Sequence, residues 1–578
     1  MTYEELKAKS ESHWEELNNG EMALVRIGTA MCGHAAGGFR VLNALESGFK
    51  EKDIQVNISE VGCLGICYAE PIVDIKKPGQ SRVLLSNVQP DEVSDLVENY
   101  LFHDALPEER ILGYIGTDDE IGPRKKFNEI PGIALQHRIA LRNAGHIAPN
   151  DILQYIALGG YDGLNKSLNT YEPNDVIEEV KKSGLRGRGG AAFPTGVKWS
   201  FLVGSPGPTK YILCNCEEGD PGAYNDKGIL ESDPYTLLEG LTIAGYATGA
   251  SNGIVFIRHG HDGPIDRTEK AIQQAYEYGL LGQNILGSNF SFDIEVALTG
   301  ESYVAGEETA LMEAVEGKRS MPRYRPPFPA AFGVWGKPSN INNVKSLSYA
   351  PEIISKGADW FSSIGVNQST GTAIVCLSGN VNLPGLYEVP MGMALGDVID
   401  KLGGGTIGDT SLKILQTGGP LGGVLGPDSM DIHIDFDEMR AAGAIFGSGG
   451  IIVGNDSVCA VDLTRILVAF CQFESCGKCF PCRLGMEHLL EIIERISNFQ
   501  SDESDLELMR NVGGTVEGGS LCGHGQLGFG PIRSALTHFE SDFTSHIVDK
   551  VCPTGSCSNP KIVPKNTRPY ATDFSMGD

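Results

Sequence analysis

The segment FESCGKCFPCRLG places Cys476, Cys479 and Cys482 at intervals of three residues, and this spacing constrains the fold more than any other feature of the chain. In a short loop, three such thiolates can converge on one centre. Disulfides are disfavoured, because the number of thiols is odd and Cys-x-x-Cys bridges are usually strained or redox-active. The fold must therefore bring a further ligand to this loop from a distance.

Cys522, in the segment SLCGHGQLG, is the cysteine that we expect to complete the site, because it stands on a glycine-rich loop before a predicted helix. Pro481 directly precedes Cys482 and is expected to keep a helix from running through the ligand loop. Four thiolates can hold a [4Fe–4S] cluster, which the spacing favours, or a structural zinc ion that moves no electrons.

Composition narrows the class of protein. The chain has 578 residues and a net charge of −28, which predicts several domains of about 100–200 residues and disfavours nucleic acid and anionic membranes as partners. The start, MTYEELK, does not resemble a signal peptide, and we find no apolar run of about 18 residues that would span a membrane. A cytoplasmic location is expected, where 14 cysteines favour metal ligands or buried thiols over disulfides.

A glycine-rich stretch, SGLRGRGGAAFPTGVKW, matches the pattern G-x-G-x-x-G/A at Gly187, Gly189 and Ala192. A helical segment precedes it, however, where a dinucleotide fingerprint needs a strand. Consecutive glycines still let backbone N–H groups approach a phosphate or a flat ring closely. Positive and aromatic side chains accompany them: Arg186, Arg188, Lys198, Phe193, Trp199 and Phe201. A phosphate-bearing cofactor is therefore favoured over a flexible surface loop.

Polar and acidic residues follow a predicted strand, YILCN: Asn215, Glu217, Glu218 and Asp220. In open α/β sheets this end of the strands binds the ligand. Glu307 and Glu308 begin a predicted helix further on. They could accept hydrogen bonds from ribose hydroxyls, or they could be solvated carboxylates that favour the helix dipole.

Periodicity predicts a multidomain α/β protein. Helices alternate with the strands YILCN, GIVFIRH and FDIEVAL, which is typical of a parallel sheet. The predicted units are residues 1–105 (small α/β), 106–365 (parallel α/β), 366–440 (β-rich insert), 441–550 (helical) and 551–578 (tail). In the helical unit, Leu489, Ile492 and Ile496 fall on one helical face.

Six stretches, in order along the chain, carry a resemblance: GLRGRGGAAFPTGVKW, CNCEEGDPGAY, AGEETALMEAVEGKR, PPFPAAFGVWGKPSNINNV, ESCGKCFPCR and SLCGHGQ. They resemble the NADH-binding flavoprotein subunit of respiratory complex I, and more closely the β subunit of soluble NAD-linked [FeFe]-hydrogenases and formate dehydrogenases, including electron-bifurcating ones. The resemblance implies an N-terminal thioredoxin-like domain, a Rossmann-like FMN/NADH domain, a β-grasp insert and a C-terminal helical bundle that carries a [4Fe–4S] cluster.

The resemblance also implies site residues and an activity. The FMN residues are Gly187, Arg188, Gly189, Lys198, Asn215, Glu217, Glu218, Tyr303, Gly306, Glu307, Asn342 and Asn343, and the NAD(H) residues are Phe193, Phe201, Glu308 and Phe328. The implied reaction is hydride transfer between NAD(H) and FMN, then single-electron transfer to the cluster. It needs no catalytic side chain, so Glu217, Glu218 and Glu307 are expected to position the cofactor.

The implied partners are a small [2Fe–2S] thioredoxin-like subunit and a hydrogenase, formate dehydrogenase or other redox subunit. Ferredoxin joins them if the complex performs electron bifurcation or confurcation. The rival interpretation is a non-catalytic docking subunit with a structural metal and an empty nucleotide pocket, and the intact GRGG loop argues against it.

Several positions depart from the family pattern. Glu217 stands where the family usually has Asp, Arg325 where Lys is common, and Lys345 and Ser346 where the motif N-N-V-E-T has Glu and Thr. These changes bear on nucleotide geometry rather than on the choice of cofactor. We expect NADH to be preferred over NADPH, because Glu308 would repel a 2′-phosphate, although Arg325 would attract one.

The N-terminal unit holds Cys32, Cys63 and Cys67, one thiol fewer than a [2Fe–2S] cluster needs. His34 could serve as the fourth ligand, since His can ligate such clusters. Alternatively, the domain has lost its cluster and kept a docking role, and this second interpretation is favoured.

The segment SHIVDKVCPTGSC supplies His546, Cys552 and Cys557 close to one another in sequence. Cys459 could fill the fourth position of a tetrahedral site, with Cys471 as the alternative. Mixed nitrogen and sulfur ligands favour zinc over a further iron–sulfur cluster. Similar C-terminal cysteines in the hydrogenase-type relatives look like a zinc site, so we expect one non-redox zinc ion here. A frayed tail with free thiols is the alternative.

Overall fold

The computed structural model describes residues 2–105, 107–116, 125–130 and 132–557. Within these ranges the chain forms three β-sheets of four or five strands, each with its own hydrophobic core, and a C-terminal helical unit. The predicted multidomain α/β architecture is confirmed. Of the predicted tail at 551–578, residues 558–578 lie outside the described residues.

The N-terminal unit is built on a mixed five-stranded sheet. In spatial order its strands are Val56–Val61, Ala23–Gly28, Val73–Lys76, Arg82–Leu85 and Ile111–Ile115. The first two strands are parallel, and the others run antiparallel to their neighbours. Helices Gly38–Glu51 and Val93–His103 pack on the sheet through a core that includes Val41, Leu45 and Leu96. The thioredoxin-like assignment of this unit stays a prediction.

The first helix, Tyr3–Asn19, belongs to a different core. A capping box formed by Thr2 and Glu5 starts the helix. Tyr3 is buried, and its hydroxyl donates a hydrogen bond to a carboxylate oxygen of Asp162 at 2.6 Å. The helix therefore packs on the parallel α/β unit rather than on the N-terminal sheet.

The parallel α/β unit contains a four-stranded sheet. In spatial order its strands are Asp293–Thr299, Asn252–Arg258, Tyr211–Cys216 and Ser339–Asn343, all parallel. The sequence pattern predicts the first three, but not Ser339–Asn343, because its residues are mostly polar. Helix Pro234–Thr248 is buried on one face, and Glu308–Val315 covers the other. Further helices are Ile152–Ala157, Asp162–Thr170, Pro173–Lys182, Thr195–Val203, Asn225–Ser232, Asp262–Glu277, Val344–Ser348, Ala350–Lys356 and Ala358–Ser362.

The insert forms a mixed five-stranded sheet. Its strands, in spatial order, are Gly385–Pro390, Thr372–Gly379, Gly450–Asn455, Leu412–Thr417 and Val424–Leu425. Strand Gly450–Asn455 lies at the centre, parallel to Thr372–Gly379 and antiparallel to Leu412–Thr417. The sheet therefore continues beyond residue 440, the predicted end of the unit. A short apolar run such as GIIVGN is hard to assign from periodicity alone.

The C-terminal unit is helical. Its helices are Ala460–Phe473, Phe480–Ser497, Ser504–Gly519, Gly523–Leu527, Gly530–His538 and Glu540–Thr544, and a π-helical turn, Ser545–Asp549, follows them. As predicted, Leu489, Ile492 and Ile496 are buried on one face of their helix. Among the described helices, none is long and apolar enough to cross a membrane.

Candidate active site and thiol groups

A cavity of about 1510 Å³ opens where the parallel strands Tyr211–Cys216 and Ser339–Asn343 end. Its walls come from the glycine-rich loop, from these strand ends, from residues 303–308 and 325–331, from two loops of the insert and from residues 523–527. Three of the four structural units therefore meet at this cavity. It lies at the carboxyl ends of the parallel strands, the edge at which open α/β sheets bind ligands.

The predicted FMN and NAD(H) residues line this cavity, with one exception. Those that line it are Gly187, Gly189, Lys198, Asn215, Glu217, Glu218, Tyr303, Gly306, Glu307, Asn342, Asn343, Phe193, Phe201, Glu308 and Phe328. The exception is Arg188, whose buried guanidinium donates to the carbonyls of Thr370 (2.6 Å) and Thr372 (3.1 Å). Its side chain therefore joins the glycine-rich loop to the insert and does not face a cofactor.

Glycines make the cavity floor accessible to a flat group. A Cβ atom at Gly189 would lie 3.0 Å from the Cβ of Asn343, and one at Gly306 would lie 3.1 Å from a carboxylate oxygen of Glu217. Gly190 has a φ of +115°, which favours glycine. These positions fit the close approach of a ring or a phosphate to the backbone.

Glu217 and Glu218 are both buried deep in the site. Glu217 forms an ion pair with Arg258 at 2.6 Å, yet burial raises the pKa of Glu217 to about 8 despite this partner. Glu218 accepts hydrogen bonds from the backbone N–H groups of Asp226 and Lys227, both at 2.7 Å. Burial, with the neighbouring Asp226 carboxylate, raises its pKa to about 7. Both side chains are held by fixed partners, as positioning residues require.

Glu307 and Glu308 have different roles. Glu307 caps the helix Glu308–Val315 by accepting hydrogen bonds from the backbone N–H groups of Thr309 and Ala310. Glu308 pairs with Lys198 at 3.2 Å and with Arg325 at 2.8 Å. Burial alone would raise the pKa of Glu308, but these two cations hold it below its usual value. Glu308 is therefore an anion that neutralises two positive groups at the cavity.

Three phenylalanines form an apolar rim. Phe193, Phe201 and Phe328 are 46%, 54% and 58% exposed, and all three line the cavity. The ring centroids of Phe193 and Phe201 are 6.1 Å apart. Exposed aromatic side chains grouped at a cavity mouth mark a surface that a ligand covers.

One wall of the cavity belongs to the helical unit. His524 lines the cavity two residues after Cys522, and its ring lies 5.8 Å from that of Tyr303. The His524 Nε2–H donates to the Cys471 carbonyl at 2.8 Å, and its buried Nδ1 has no hydrogen-bond partner. His524 is not among the residues predicted from the sequence, although it stands beside Cys522 in the CGHGQ stretch.

Three of the four predicted cluster cysteines stand at helix N-termini, and the fourth, Cys476, lies in the loop between the helices Ala460–Phe473 and Phe480–Ser497. Cys479 precedes the helix Phe480–Ser497, Cys482 lies in its first turn, and Cys522 precedes Gly523–Leu527. Burial and the neighbouring thiols raise the pKa of Cys482 to about 11. Pro481 occupies the first turn, where its fixed φ suits a helix start. The helix begins only at Phe480, so no helix runs through residues 474–479, as predicted. The positive helix ends favour thiolates.

The tail residues also converge. Cys459, His546, Cys552 and Cys557 have ligand atoms within 4.8 Å of one another. The Cys459 sulfur lies 3.6 Å from the His546 Nε2 and 3.6 Å from the Cys557 sulfur. His546 Nδ1 donates to the Asp542 carbonyl at 2.7 Å, which turns Nε2 toward the thiols. Cys471, the alternative ligand, is not part of this group.

In the N-terminal unit, the sulfurs of Cys32, Cys63 and Cys67 lie within 4.8 Å of one another. His34, considered from the sequence as a less favoured fourth ligand, is exposed and packs edge-on against Phe39, with ring centroids 5.0 Å apart. It is not part of the thiol group, so the structure does not support that alternative. Instead, a carboxylate oxygen of the buried Glu70 lies 3.9 Å from the Cys32 sulfur.

Comparison with known proteins gives consistent matches. Residues 180–352 match the Nuo51 FMN-binding domain, 374–425 the SLBB domain, and 462–546 the NADH-ubiquinone oxidoreductase-F iron-sulfur binding region. HndC, from the NADP-reducing hydrogenase of Solidesulfovibrio fructosivorans, is 45% identical over 73% of this chain and 86% of its own length. The F 2 protein of the NADH-quinone oxidoreductase of Rhizobium meliloti is 41% identical over 72% of this chain and 99% of its own length.

This chain belongs to the family of HndC and the F-type proteins of NADH-quinone oxidoreductases. Among solved structures, an NAD+-reducing [NiFe]-hydrogenase in its H2-reduced state matches with a TM-score of 0.63 and 26% identity, covering 94% of this chain and 88% of that one. The family resemblance drawn from the six motifs is confirmed.

The structure explains one departure from the family pattern. Lys345 replaces a usual Glu, and its ammonium is buried against Asp226 at 2.7 Å and the Asn225 amide oxygen at 2.7 Å. The other carboxylate oxygen of Asp226 accepts from the Asn343 side chain at 2.5 Å. Lys345 therefore neutralises a buried carboxylate beside the cavity, and a glutamate in its place would repel it.

Proposed function

We propose that this chain is the electron-input subunit of a larger redox complex. It transfers hydride between NAD(H) and FMN and passes single electrons through a [4Fe–4S] cluster to a partner redox subunit. The observation that carries the proposal is the shared wall: His524 lines the cavity, and Cys522, two residues earlier, is one of the predicted cluster ligands. A flavin in the cavity and a cluster on these thiolates would therefore be neighbours.

The chain's own residues would hold FMN in the cavity. FMN, when bound, supplies the chemistry that joins a two-electron donor to a one-electron acceptor. Gly187 and Gly189 expose the backbone to it, and Asn215 is held in place by donating to the Gly306 carbonyl at 2.8 Å. Glu217 is held in place by accepting hydrogen bonds from the Arg258 guanidinium at 2.6 Å and from the Gly219 N–H at 3.0 Å.

The aromatic rim would hold the nicotinamide nucleotide. Phe193, Phe201 and Phe328 offer apolar surface against which flat rings can stack and from which water is excluded. Glu308 and its two cationic partners, Lys198 and Arg325, line the same cavity. This arrangement positions the nucleotide over the site without any side chain acting as acid or base.

The link to the cluster loop uses aromatic contacts. The Tyr303 ring lies 5.3 Å from that of Phe470 and 5.8 Å from that of His524, and its N–H donates to Glu474 at 2.9 Å. Glu474 stands two residues before Cys476. These contacts fix the cluster loop against the cavity wall, which keeps any distance for electron transfer short.

The proposal is tested by spectroscopy and turnover. The purified protein should contain FMN, show a flavin absorption band, and reduce a viologen dye with NADH. Protein that binds neither FMN nor NADH while folded and metal-loaded would support the rival interpretation, a docking subunit with an empty pocket.

Two finer points belong to the same proposal. The partners would be a small [2Fe–2S] thioredoxin-like subunit and a hydrogenase, formate dehydrogenase or other redox subunit, with ferredoxin if the complex bifurcates electrons. Relatives named as parts of hydrogenases and quinone oxidoreductases support this. The five-stranded N-terminal sheet, with one parallel and three antiparallel pairings, supports a thioredoxin-like docking domain.

The tail group would bind one non-redox zinc ion. Three thiols and one imidazole in a closed group suit a structural zinc site. Such an ion would fasten the last described residues to the helix that begins at Ala460. Cys552→Ser should remove one zinc per chain and lower the melting temperature, while NADH-dependent viologen reduction stays intact. Unchanged zinc content in this variant would exclude the site.

A further inference from the structure

The three thiols of the N-terminal unit lie together at one edge of its β-sheet. The parallel strands Ala23–Gly28 and Val56–Val61 end side by side. Cys32 follows the first strand, and Cys63 and Cys67 follow the second. Two adjacent loops therefore deliver all three thiols to one point, and none of them lines the flavin cavity.

The spacing of the sulfurs fits one metal ion. The three lie within 4.8 Å of one another, and Cys63 and Cys67 are 3.9 Å apart. A tetrahedral ion with metal–sulfur bonds of about 2.3 Å places its sulfurs about 3.8 Å apart. In a [2Fe–2S] cluster the thiolates divide between two irons, so the sulfurs on opposite irons lie farther apart.

A buried carboxylate faces the same point. Glu70 is 6% exposed, and its Oε1 lies 3.9 Å from the Cys32 sulfur, while its Oε2 accepts from the Ile72 N–H at 2.8 Å. A Cβ at Gly28 would come within 2.8 Å of Oε2, so glycine makes room for this carboxylate. A carboxylate and three thiols buried together supply ligand atoms that a cation could hold in their ionised forms.

The ligand loops also lie at a junction of three units. The Gly65 carbonyl accepts from the Leu386 N–H of the insert at 2.7 Å. The Met31 N–H donates to Glu231 of the parallel α/β unit at 2.8 Å, and Arg138 of the same unit donates to the Leu64 carbonyl. An ion bound here would rigidify loops that hold the N-terminal sheet against both neighbours.

We propose that Cys32, Cys63, Cys67 and Glu70 bind one Zn²⁺ in a closed, four-coordinate site. Thiolate ligands select zinc over harder divalent ions, and four protein ligands leave no open position for catalysis, as in structural zinc sites. The ion would fasten the N-terminal unit to the rest of the chain and would carry no electrons.

Metal analysis of purified full-length variants tests the site. Cys63→Ala and Glu70→Gln should each lower zinc by one ion per chain and leave iron and FMN unchanged. Cys376→Ala is the matched control, because Cys376 and Cys63 are both buried and each accepts one backbone N–H, from Tyr224 and Gly65, at 3.2 Å. Unchanged zinc in Cys63→Ala would overturn the proposal. A joint loss of iron and acid-labile sulfide would instead show a [2Fe–2S] cluster and overturn it too.

A second measurement decides the ligands and remains informative if Cys63→Ala fails to fold. Zinc X-ray absorption of the Cys552→Ser variant, which removes the tail group, should show three sulfurs at about 2.3 Å and one oxygen at about 2.0 Å. A fourth sulfur or a nitrogen in place of the oxygen would remove Glu70 from the site, and the absence of zinc would remove the site itself.

Discussion

The cluster cysteines and the N-terminal thiols show two ways of bringing distant cysteines together. The two groups are Cys476, Cys479, Cys482 and Cys522, and Cys32, Cys63 and Cys67. Three members of the first group stand at helix starts, Cys476 lies in the loop before Cys479, and the chain just after Cys522 lines the flavin cavity. The second group is tighter, sits at the ends of two parallel strands and is remote from the cavity lining.

The different positions of the two groups fit the two different roles proposed for them, electron transfer for the first and holding structural units together for the second. The first centre to accept electrons from a flavin must lie close to it, and under the proposed function the first group would do so through residues of a shared wall. A centre that only holds units together needs a junction, and the second group has hydrogen bonds to two other units around it. Residue type alone does not distinguish the two roles, whereas position relative to the cavity does.

Gly189→Val would fill part of the cavity and should have the largest effect of the four substitutions. Its Cβ would lie 3.0 Å from Asn343, and the added methyl groups would enter the space of the cofactor. Overpacking of this kind costs about 1–3 kcal/mol, or up to about 100-fold in affinity. Flavin content and NADH–viologen activity should both collapse while iron and zinc stay. The control is Gly300→Val, since a Cβ at Gly300 meets nothing within 4 Å; full flavin in Gly189→Val would refute the loop assignment.

Cys479→Ala separates the cluster from the flavin. The thiol lies downstream of hydride transfer, so electron delivery to the partner subunit should stop while NADH still bleaches the flavin in stopped-flow measurements. The parallel variant Cys63→Ala should leave both steps intact, because its group is not on the path. If flavin bleaching also disappears in folded, flavin-loaded Cys479→Ala, the two sites are not separable as described.

Glu308→Ala should change the choice of nucleotide. Removing this carboxylate takes away the partner of Lys198 at 3.2 Å and leaves Arg325 only its longer contact with Glu307 at 4.0 Å. Both cations then become more available to a 2′-phosphate. The ratio of kcat/KM for NADPH to that for NADH should rise about tenfold, which corresponds to about 1.4 kcal/mol. Glu301→Ala, an exposed neighbour, is the control. A wild-type enzyme that already uses both nucleotides equally would contradict the expected NADH preference.

Glu217→Gln should have the smallest effect, on pH dependence. Burial raises the pKa of Glu217 to about 8 from its ordinary 4.5, so the folded state binds more protons than the unfolded state between these values. Stability therefore falls as pH rises through this window. Between about pH 5 and about pH 8, the melting temperature of flavin-free protein should fall less in the variant than in the wild type, by about 2–4 °C. Glu301→Gln serves as the control, and an unchanged slope would show that Glu217 ionises normally.

Most of the candidate site residues could be predicted from short sequence patterns. The glycine-rich loop, the Cys-x-x-Cys-x-x-Cys run and the apolar strands Tyr211–Cys216 and Asn252–Arg258 each carry their information within a few residues. The grouping of the tail residues with Cys459 was also predictable, because Cys552 and Cys557 are close in sequence and Cys459 stands at the start of the helix that leads to the cluster loop.

Contacts between distant segments decided the features that the sequence patterns did not predict. The polar strand Ser339–Asn343 has no apolar pattern, and it forms because it pairs along its length with Tyr211–Cys216. Arg188 turns from the cofactor because carbonyls of the insert accept its donors. Glu70 stands three residues after Cys67, but its carboxylate meets Cys32 only because two parallel strands end side by side. His524 meets Tyr303 of the cavity wall through a contact between segments far apart in sequence. Composition and periodicity describe one segment at a time, so they name the candidate ligands, but only the folded chain sets which way each side chain faces.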